Sequence, residues 1–349
     1  MPPSAVNYTY LAQINYAFYT PDSKGYLSPD TSNGSALLQD VVTNAHAVNT
    51  QVILTIGGAS GSTNFSTVLA STTATKTLVS QCVSLVKQYD LDGIDLDYES
   101  PTNLAETNNA IKFLKSLRSS LKKISNKRTS TGHPLLTSLL SSVTFVGDDG
   151  SMLSNLKNVS DQVDHFNLDT YDYNLSGNTT APNSPIFAVQ CSQLLAKQNA
   201  CVNDSITSYL AAEVPRSKMR VGVPFYSKQA VAASAPYDGM TCYPKVAAGN
   251  YESDIVYADS VSQQQGANWT YGWDSTTKTG WAYNSYSGMF SATNWAESVE
   301  AKAEYTSCQG LAGLSIWSID DDVDGELTAV AAGVKTKLSN STCKGLGYA

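Results

Sequence analysis

Short apolar runs of β-type residues alternate along the chain with stretches that have helical periodicity. In Lys76–Tyr89, for example, Leu78, Cys82 and Val86 lie on one side of a predicted helix. Because strands that alternate with helices favour a parallel sheet, the repeated unit predicts a TIM-type (β/α)8 barrel. The seven runs are Gln13–Phe18, Gln51–Ile56, Leu91–Tyr98, Leu135–Leu140, His165–Thr170, Met219–Phe225 and Gly313–Trp317.

The interval between the last two runs has a different composition. Residues 227–312 are rich in Trp, Tyr, Gly and Ser, and they show no crossover helix before Asn294–Tyr305. An interval of this length suits a small inserted subdomain. We therefore expect strands two to seven of the barrel in residues 1–226, an insertion with its return helix in 227–312, and the last strand, a terminal helix and a tail in 313–349.

A closed barrel of this type needs eight strands, whereas the pattern supplies seven. Few residues precede Gln13, so we expect the first barrel strand to be missing from this chain. The first residues also lack the basic and apolar segments of a signal peptide. An internal start at Met1 explains both features, and it predicts a signal peptide and one more strand encoded upstream.

Composition and charge exclude several classes of protein. The chain is 42% hydrophobic and 15% charged, which is typical of a globular protein with a sizeable core. Its 22 basic and 30 acidic residues give a net charge of −8. Phosphate binding needs a positive field, so we expect no nucleic-acid partner. No stretch approaches the ~18–20 apolar residues of a membrane span. We expect no membrane partner, and a monomer.

Cysteines and glycosylation acceptors together indicate the secretory pathway. The six cysteines have no spacing that would suit zinc, so disulfide bonds are the better interpretation. Nine Asn-x-Ser/Thr sequons fit a glycosylated surface. We therefore expect an extracellular, secreted protein. The acceptors are Asn7, Asn33, Asn64, Asn158, Asn174, Asn178, Asn203, Asn268 and Asn340.

The residue types that carry chemistry concentrate in the run from Asp92 to Glu99. Successive side chains of a strand point to opposite faces, so Asp95, Asp97 and Glu99 are predicted to share one face. We call these three residues the acid ladder. Close carboxylates inside a barrel cannot all be ionised, and a retained proton is what a general acid needs. Glu99 is at the carboxyl end of the strand, where barrel active sites lie, and is the predicted proton donor.

The chain resembles family 18 of the glycoside hydrolases, the chitinases, on several motifs. The motif DGxDxDxE corresponds to Asp92–Glu99, and four others follow the family order: NYAF at Asn15–Phe18, TIGG at Thr55–Gly58, TYDY at Thr170–Tyr173 and GVPFY at Gly222–Tyr226. A last motif, IWSIDDD, spans residues 316–322. The resemblance implies hydrolysis of β-1,4-linked N-acetylglucosamine polymers with retention of configuration. It also implies that the acetamido oxygen of the substrate is the nucleophile and that an oxazolinium ion forms.

The resemblance assigns catalytic roles to four residues. Glu99 protonates the glycosidic oxygen and then acts as the base. Asp97 holds the acetamido N–H and stabilises the positive intermediate, and Asp95 shares the proton of Asp97. Tyr171 donates to the acetamido oxygen.

The same resemblance implies a set of substrate-binding residues. Asp172 contacts the sugar, and Trp317 stacks beneath the pyranose, where contact with the indole removes apolar surface from water. The other members come from the matched motifs. They are Tyr16, Phe18, Thr55, Gly57, Gly58 and Tyr226.

Three departures from the family pattern bear on this site. Asp169 replaces a usual Met and adds a fourth acid, which is expected either to raise the local proton affinity further or to favour an altered polar contact. Thr55 replaces a Ser but keeps a hydroxyl for a hydrogen bond to Asp95. Lys228 replaces an Arg and cannot reproduce a bidentate guanidinium contact, so the preference among sugar subsites is expected to differ.

Two alternatives to a secreted endo-acting chitinase stay open. One is a catalytically weak or silent chitooligosaccharide-binding protein, and the other is an endo-β-N-acetylglucosaminidase acting on N-glycans. The sequence calls for no cofactor and no metal. The run Asp320–Gly325 resembles the start of a calcium loop, but Ala331 stands where a bidentate Glu belongs.

Overall fold

The structure is a computed structural model that describes residues 1–99, 101–140, 145–174, 179–189, 191, 200–237, 240, 242–247, 253–322, 324–334 and 338–348. Its strands are β1 Gln13–Pro21, β2 Leu27–Pro29, β3 Gln51–Gly57, β4 Gly93–Asp97, β5 Leu135–Leu140, β6 His165–Leu168, β7 Met219–Pro224, β8 Tyr226–Val231, β9 Ser253–Val256, β10 Trp269–Asp274, β11 Thr279–Asn284, β12 Met289–Thr293 and β13 Gly313–Trp317. Each of the seven predicted runs overlaps one of these strands.

The helices are α1 Gly34–Ala47, α2 Phe65–Ala70, α3 Thr72–Tyr89, α4 Leu104–Leu121, α5 Lys157–Ser160, α6 Val202–Ala211, α7 Tyr257–Gln264, α8 Ala296–Cys308, α9 Glu326–Gly333 and α10 Asn340–Leu346. Within the described residues, none of them is both long enough and apolar enough to cross a membrane.

Two compact units make up the chain. The amino-terminal unit comprises Pro2–Leu168 and Tyr209–Met219, and the carboxy-terminal unit comprises Asp169–Ser208 and Arg220–Ala349 together with Met1. The predicted division of the chain after residues 226 and 312 stays a prediction.

The amino-terminal unit is built on a sheet with the strand order β2-β1-β3-β4-β5-β6. β1 and β3 to β6 run parallel, and the short β2 pairs antiparallel with β1. Helices α1, α3 and α4 pack against β3, β4 and β5. Apolar side chains such as Leu54, Ile94 and Leu136 are fully buried in these strands. Burial of apolar surface on a parallel sheet therefore holds β4 in the middle of the unit.

The carboxy-terminal unit contains a parallel pair and an antiparallel sheet. β7 and β13 pair in parallel, and the antiparallel sheet has the order β10-β11-β12-β8-β9. A small core of Val223, Phe225, Val299 and Leu327 joins the strand β7 to helices α8 and α9. Helix α8 coincides with the return helix expected near Asn294–Tyr305.

Four of the six cysteines form disulfide bonds, both in the carboxy-terminal unit. Cys191 is bonded to Cys242, and Cys308 is bonded to Cys343. Cys82 and Cys201 are buried thiols. The prediction of disulfide bonds is confirmed for the first four and is wrong for the last two, which are buried apart from any partner cysteine.

The sequon at Asn174 is a second correction. Asn174 is fully buried, and its side-chain amide donates to the carbonyl of Ala181 at 3.0 Å. An oligosaccharide cannot be attached to this side chain in the folded protein. The neighbouring acceptor Asn178 lies outside the described residues.

Candidate active site

The acidic motif lies on β4, in the middle of the amino-terminal sheet. Asp95 and Asp97 are only 3% and 7% exposed. Ile94 and Leu96 alternate with them along the strand and are buried on the opposite face. The two lower members of the acid ladder are therefore interior carboxylates and not part of a solvated loop.

Three side-chain donors from other strands converge on the Asp95 carboxylate. Thr55 in β3 donates to Oδ2 at 3.3 Å, Asn167 in β6 donates to Oδ1 at 3.1 Å, and Thr137 in β5 also donates to Oδ1. The hydrogen bond expected of Thr55 is thus present. β5 separates β6 from β4, so Asn167 reaches Asp95 from two strands away. Asp95 accordingly points to the inner face of a curved sheet.

Ser62 connects the end of β4 to Glu99. Its hydroxyl donates to the carbonyl of Asp97 at 3.1 Å and accepts from the backbone N–H of Glu99 at 3.3 Å. The N–H of Gly58 donates to the same Asp97 carbonyl at 3.1 Å. These hydrogen bonds fix the backbone where the strand ends, and so they fix the position of the Glu99 Cα atom from which the side chain extends.

Glu99 is the one member of the acid ladder that is partly exposed. Burial of the other part raises the pKa of its carboxyl above the ordinary value of 4.5, because desolvation disfavours the charged form. A carboxyl that retains its proton at higher pH is suited to general acid catalysis.

Gly57 and Gly58 leave room for their neighbours. Gly57 has a φ of +114°, and a Cβ there would lie 2.0 Å from the carbonyl oxygen of Asp97. Gly58 has a φ of +86°, and a Cβ there would lie 2.9 Å from the ring of Phe18. The two glycines therefore let β3 approach the acidic strand and Phe18 closely. Their contact with substrate stays a prediction.

Tyr16 lies on β1 and is half-buried. Its hydroxyl donates to the carbonyl of Gly34, at the start of α1, at 2.8 Å. Burial raises its pKa to about 12, so this hydroxyl remains a donor. The structure thus gives Tyr16 a partner within the protein, and a contact with substrate stays a prediction.

Asp92, the first residue of the acidic motif, anchors β4 by a buried network. Its carboxylate is paired with His46 at 2.8 Å and with Nε of Arg128 at 2.7 Å. It also accepts from the backbone N–H of Val52 at 2.8 Å and from Asn126 at 2.9 Å. All four partners lie in the amino-terminal unit. Asp92 is completely buried, so its role here is to position the strand.

The carboxy-terminal unit holds a second polar cluster around Asp172. Asp172 has a φ of +58°, and its N–H donates to the side chain of Asn183 at 2.8 Å. The hydroxyl of Tyr226 donates to Asp172 Oδ1 at 2.7 Å, and Nζ of Lys228 lies 3.3 Å from the same oxygen. Lys228 also pairs with Asp254. The lysine that replaces the expected arginine therefore binds two carboxylates at once.

Aromatic side chains border this cluster. The rings of Tyr171 and Tyr226 meet edge to face with centroids 6.2 Å apart. Burial raises the pKa of Tyr226 well above its ordinary value, and the negative charges of Asp172 and Asp169 add to the shift. Trp317 ends β13 and is 41% exposed, so much of its indole surface is accessible. Tyr226 thus contacts both Tyr171 and Asp172, and the contact of these residues with substrate stays a prediction.

Several site residues carry little signal in the sequence. Thr137 and Asn167 are polar residues within predicted strands, and neither belongs to a motif of its own. Ser62 lies in a Gly-Ser-Thr segment with no motif of its own. Asp254 becomes a partner of Lys228 because β9 pairs with β8.

A sequence model of the family described as glycosyl hydrolases, family 18, matches residues 4–322. Among curated relatives, Chitinase 1 of Aphanocladium album is 26% identical over 77% of this chain and 61% of its own length. A chitinase-like effector of Moniliophthora perniciosa is 25% identical over 92% of this chain and 80% of its own length. The chain therefore spans less than two thirds of the first of these relatives.

Solved structures show the same fold. The crystal structure of a chitinase from Rhizomucor miehei is 26% identical and superimposes with a TM-score of 0.82, covering 94% of this chain and 95% of that one. This similarity confirms the predicted TIM-type (β/α)8 fold class.

The network of Asp92 gives a test of how the acidic strand is held. We expect Asp92→Asn to destabilise the protein by about 3 kcal/mol. The amide NH₂ group would face the donors of Arg128, Val52 and Asn126, and it would leave at least one of them buried without an acceptor. Asp90→Asn is the matched control, since Asp90 pairs with the same Arg128 at 2.9 Å but its side chain is 72% exposed. The control should cost less than about 1 kcal/mol. Equal losses in the free energy of unfolding, measured by urea denaturation, would contradict the assignment.

Proposed function

Since the chain belongs to family 18 of the glycosyl hydrolases, we propose that it is a secreted chitinase that cuts β-1,4 linkages within polymers of N-acetylglucosamine. The observation that carries the proposal is the acid ladder. Two buried carboxylates lead along β4 to a glutamate whose pKa is raised by burial. A loop of solvated acids has no reason to be organised in this way.

The proposed reaction begins with proton transfer from Glu99 to the glycosidic oxygen. As the bond between this oxygen and the anomeric carbon breaks, the acetamido oxygen of the same sugar attacks the anomeric carbon and forms an oxazolinium ion. Asp97 accepts a hydrogen bond from the acetamido N–H and stabilises the positive charge of the oxazolinium ion. Water then attacks the anomeric carbon, the bond from this carbon to the acetamido oxygen breaks and restores the acetamide, and the water proton goes to Glu99. Two inversions at one carbon retain its configuration.

Asp95 is proposed to support this reaction through Asp97, the next acid along β4. Its carboxylate is held by Thr55, Thr137 and Asn167. We propose that it exchanges a proton with Asp97 and so lets Asp97 change its charge during the cycle. The three donors keep Asp95 in place while that exchange occurs.

Sugar recognition is proposed for residues of the carboxy-terminal unit. Tyr171 donates to the acetamido oxygen, Asp172 contacts the sugar and Trp317 stacks against a pyranose face. The hydrogen bond from Tyr226 and the ion pair with Lys228 support this role for Asp172, because they hold its carboxylate in one orientation. The exposed indole of Trp317 supports the stacking role.

A binding protein without catalysis is the second candidate. One relative that matches 92% of the chain is named a chitinase-like effector, and Asp169 adds an acid beside Tyr226. Glu99 is nevertheless present with the environment of a proton donor. The enzyme is therefore the function we favour.

Replacement of the proton donor separates the two candidates. We expect Glu99→Gln to lower kcat on soluble chitooligosaccharides by about 10²–10⁴-fold, because the amide cannot donate the catalytic proton. The Kd for the same oligosaccharides should change little, as measured by calorimetry. Asp97→Asn should cost roughly a hundredfold in kcat. Glu300→Gln, which changes an exposed glutamate on α8, is the control and should leave turnover unchanged. Equal turnover by the wild type and Glu99→Gln would exclude the proposed role.

The identity of the nucleophile gives an independent test. We expect the first product from an N-acetylglucosamine oligomer to be the β-anomer, recorded by proton NMR before mutarotation. A fully deacetylated oligomer of the same length lacks the acetamido oxygen and should not be cleaved. An α-anomer as first product, or cleavage of the deacetylated oligomer, would contradict substrate assistance.

A further inference from the structure

A cavity lined by aromatic rings opens on the antiparallel sheet of the carboxy-terminal unit. Its volume is about 560 Å³. We call it the aromatic cavity. It is lined chiefly by Tyr257, Tyr271, Trp273, Trp295, Glu297 and Glu326. None of these side chains belongs to the acid ladder or to the cluster around Asp172.

Strand register places the aromatic cavity on one face of this sheet and Lys228 on the other. Trp273 is directly opposite Gly280, and Gly280 is opposite Thr293, so these three residues share a face. Lys228 is opposite Ala292, the neighbour of Thr293 along β12. Neighbouring residues in a strand point to opposite faces. The aromatic cavity is therefore separated by the thickness of the sheet from the lysine that pairs with Asp172.

The rings of the aromatic cavity are held in place by the protein. Tyr271 donates its hydroxyl to the carbonyl of Gln264. Tyr257 donates to Glu326 Oε2 at 3.0 Å. The rings of Tyr271 and Trp295 lie 5.6 Å apart with planes at 57°. Because these contacts exist before any ligand binds, little side-chain entropy is lost when a ligand stacks on the rings.

Gly280 makes room for one of these rings. A Cβ at this position would lie 2.7 Å from the indole of Trp295, so only glycine lets that indole lie against β11. Tyr271 remains 49% exposed on the edge strand β10. The result is a set of accessible rings on a rigid support, and this is not the arrangement of a closed hydrophobic core.

The chemistry of the lining identifies the class of ligand. Aromatic faces remove the apolar C–H face of a pyranose from water. The carboxylates of Glu297 and Glu326 are exposed, and they can accept hydrogen bonds from hydroxyl and acetamido N–H groups. The described residues that line the cavity include no basic side chain, which disfavours an anionic ligand.

We propose that the aromatic cavity is a second binding site for N-acetylglucosamine units of the polymer, used for attachment to insoluble chitin and not for bond cleavage. The identity of the sugar rests on the proposed function. The location of the site and the preference for an uncharged pyranose rest on the cavity itself.

Adsorption to insoluble chitin tests the proposal without catalysis. We would measure binding isotherms of the Glu99→Gln protein, which does not consume the polymer, with and without Tyr271→Ala. Loss of about 40 Å² of stacked apolar surface should weaken adsorption about fivefold. Tyr271→Phe keeps the ring and loses only its hydroxyl bond to Gln264, so it should adsorb more strongly than Tyr271→Ala. Tyr286→Ala is the matched control, because Tyr286 is 89% exposed and lies outside the cavity. Equal adsorption by the Tyr271→Ala protein and its parent would overturn the proposal.

A second variant tests the same cavity in case Tyr271→Ala fails to fold. Glu297→Lys changes an exposed carboxylate at the rim and removes no packed ring. We expect it to weaken adsorption severalfold while its melting temperature falls only slightly, since Glu297 lies in the first turn of α8, where a positive charge is mildly unfavourable. Unchanged adsorption of a folded Glu297→Lys protein would argue against contact of the sugar with this rim.

Turnover by the otherwise wild-type enzyme distinguishes a failure of the proposed chitinase activity from a failure of the proposed attachment site. Tyr271→Ala should lower the rate on insoluble chitin about fivefold and leave kcat/KM on a soluble tetramer unchanged. If the wild type cleaves neither substrate, the proposed function fails, and the adsorption experiment still decides the role of the aromatic cavity. If Tyr271→Ala lowers both rates equally, the cavity has no separate attachment role.

Discussion

Burying a carboxylate inside a protein is costly unless hydrogen bonds replace the water that it loses, and the acid ladder depends on this constraint. Asp95 meets it with donors from Thr55, Thr137 and Asn167. Those donors lie on three different strands. The position of the ladder is thus tied to the register of the parallel sheet, and the contacts that hold Asp95 are also contacts between strands of the fold.

The same constraint explains the different environments along β4. Asp92 is fully buried, forms an ion pair with Arg128 and is hydrogen-bonded to His46, so it holds the strand. Glu99, beyond the end of the strand, has no such partner described, and burial alone raises its pKa. Acids of one motif therefore lie in different environments, and this difference is the basis for proposing a structural role for Asp92 and a catalytic role for Glu99.

Much of the fold was predictable because it depends on local patterns. Apolar runs located the seven parallel strands found among the described residues, and strand alternation identified the buried pair Asp95 and Asp97. The antiparallel sheet and the aromatic cavity were not predicted, since they depend on pairing between strands such as β8 and β12 that are far apart in sequence. Cys82 and Cys201 illustrate the same limit, because the number of cysteines does not reveal which of them approach one another.

The central claim is that Glu99 keeps its proton above the pH at which an ordinary glutamate loses it. Carbon-13 NMR of protein labelled at the glutamate side-chain carboxyl, with the Glu99 signal assigned from its absence in Glu99→Gln, measures this directly. A midpoint above 4.5 is the predicted result, because burial raises the pKa and so keeps the acid form populated to higher pH. A midpoint at or below 4.5 would contradict the account.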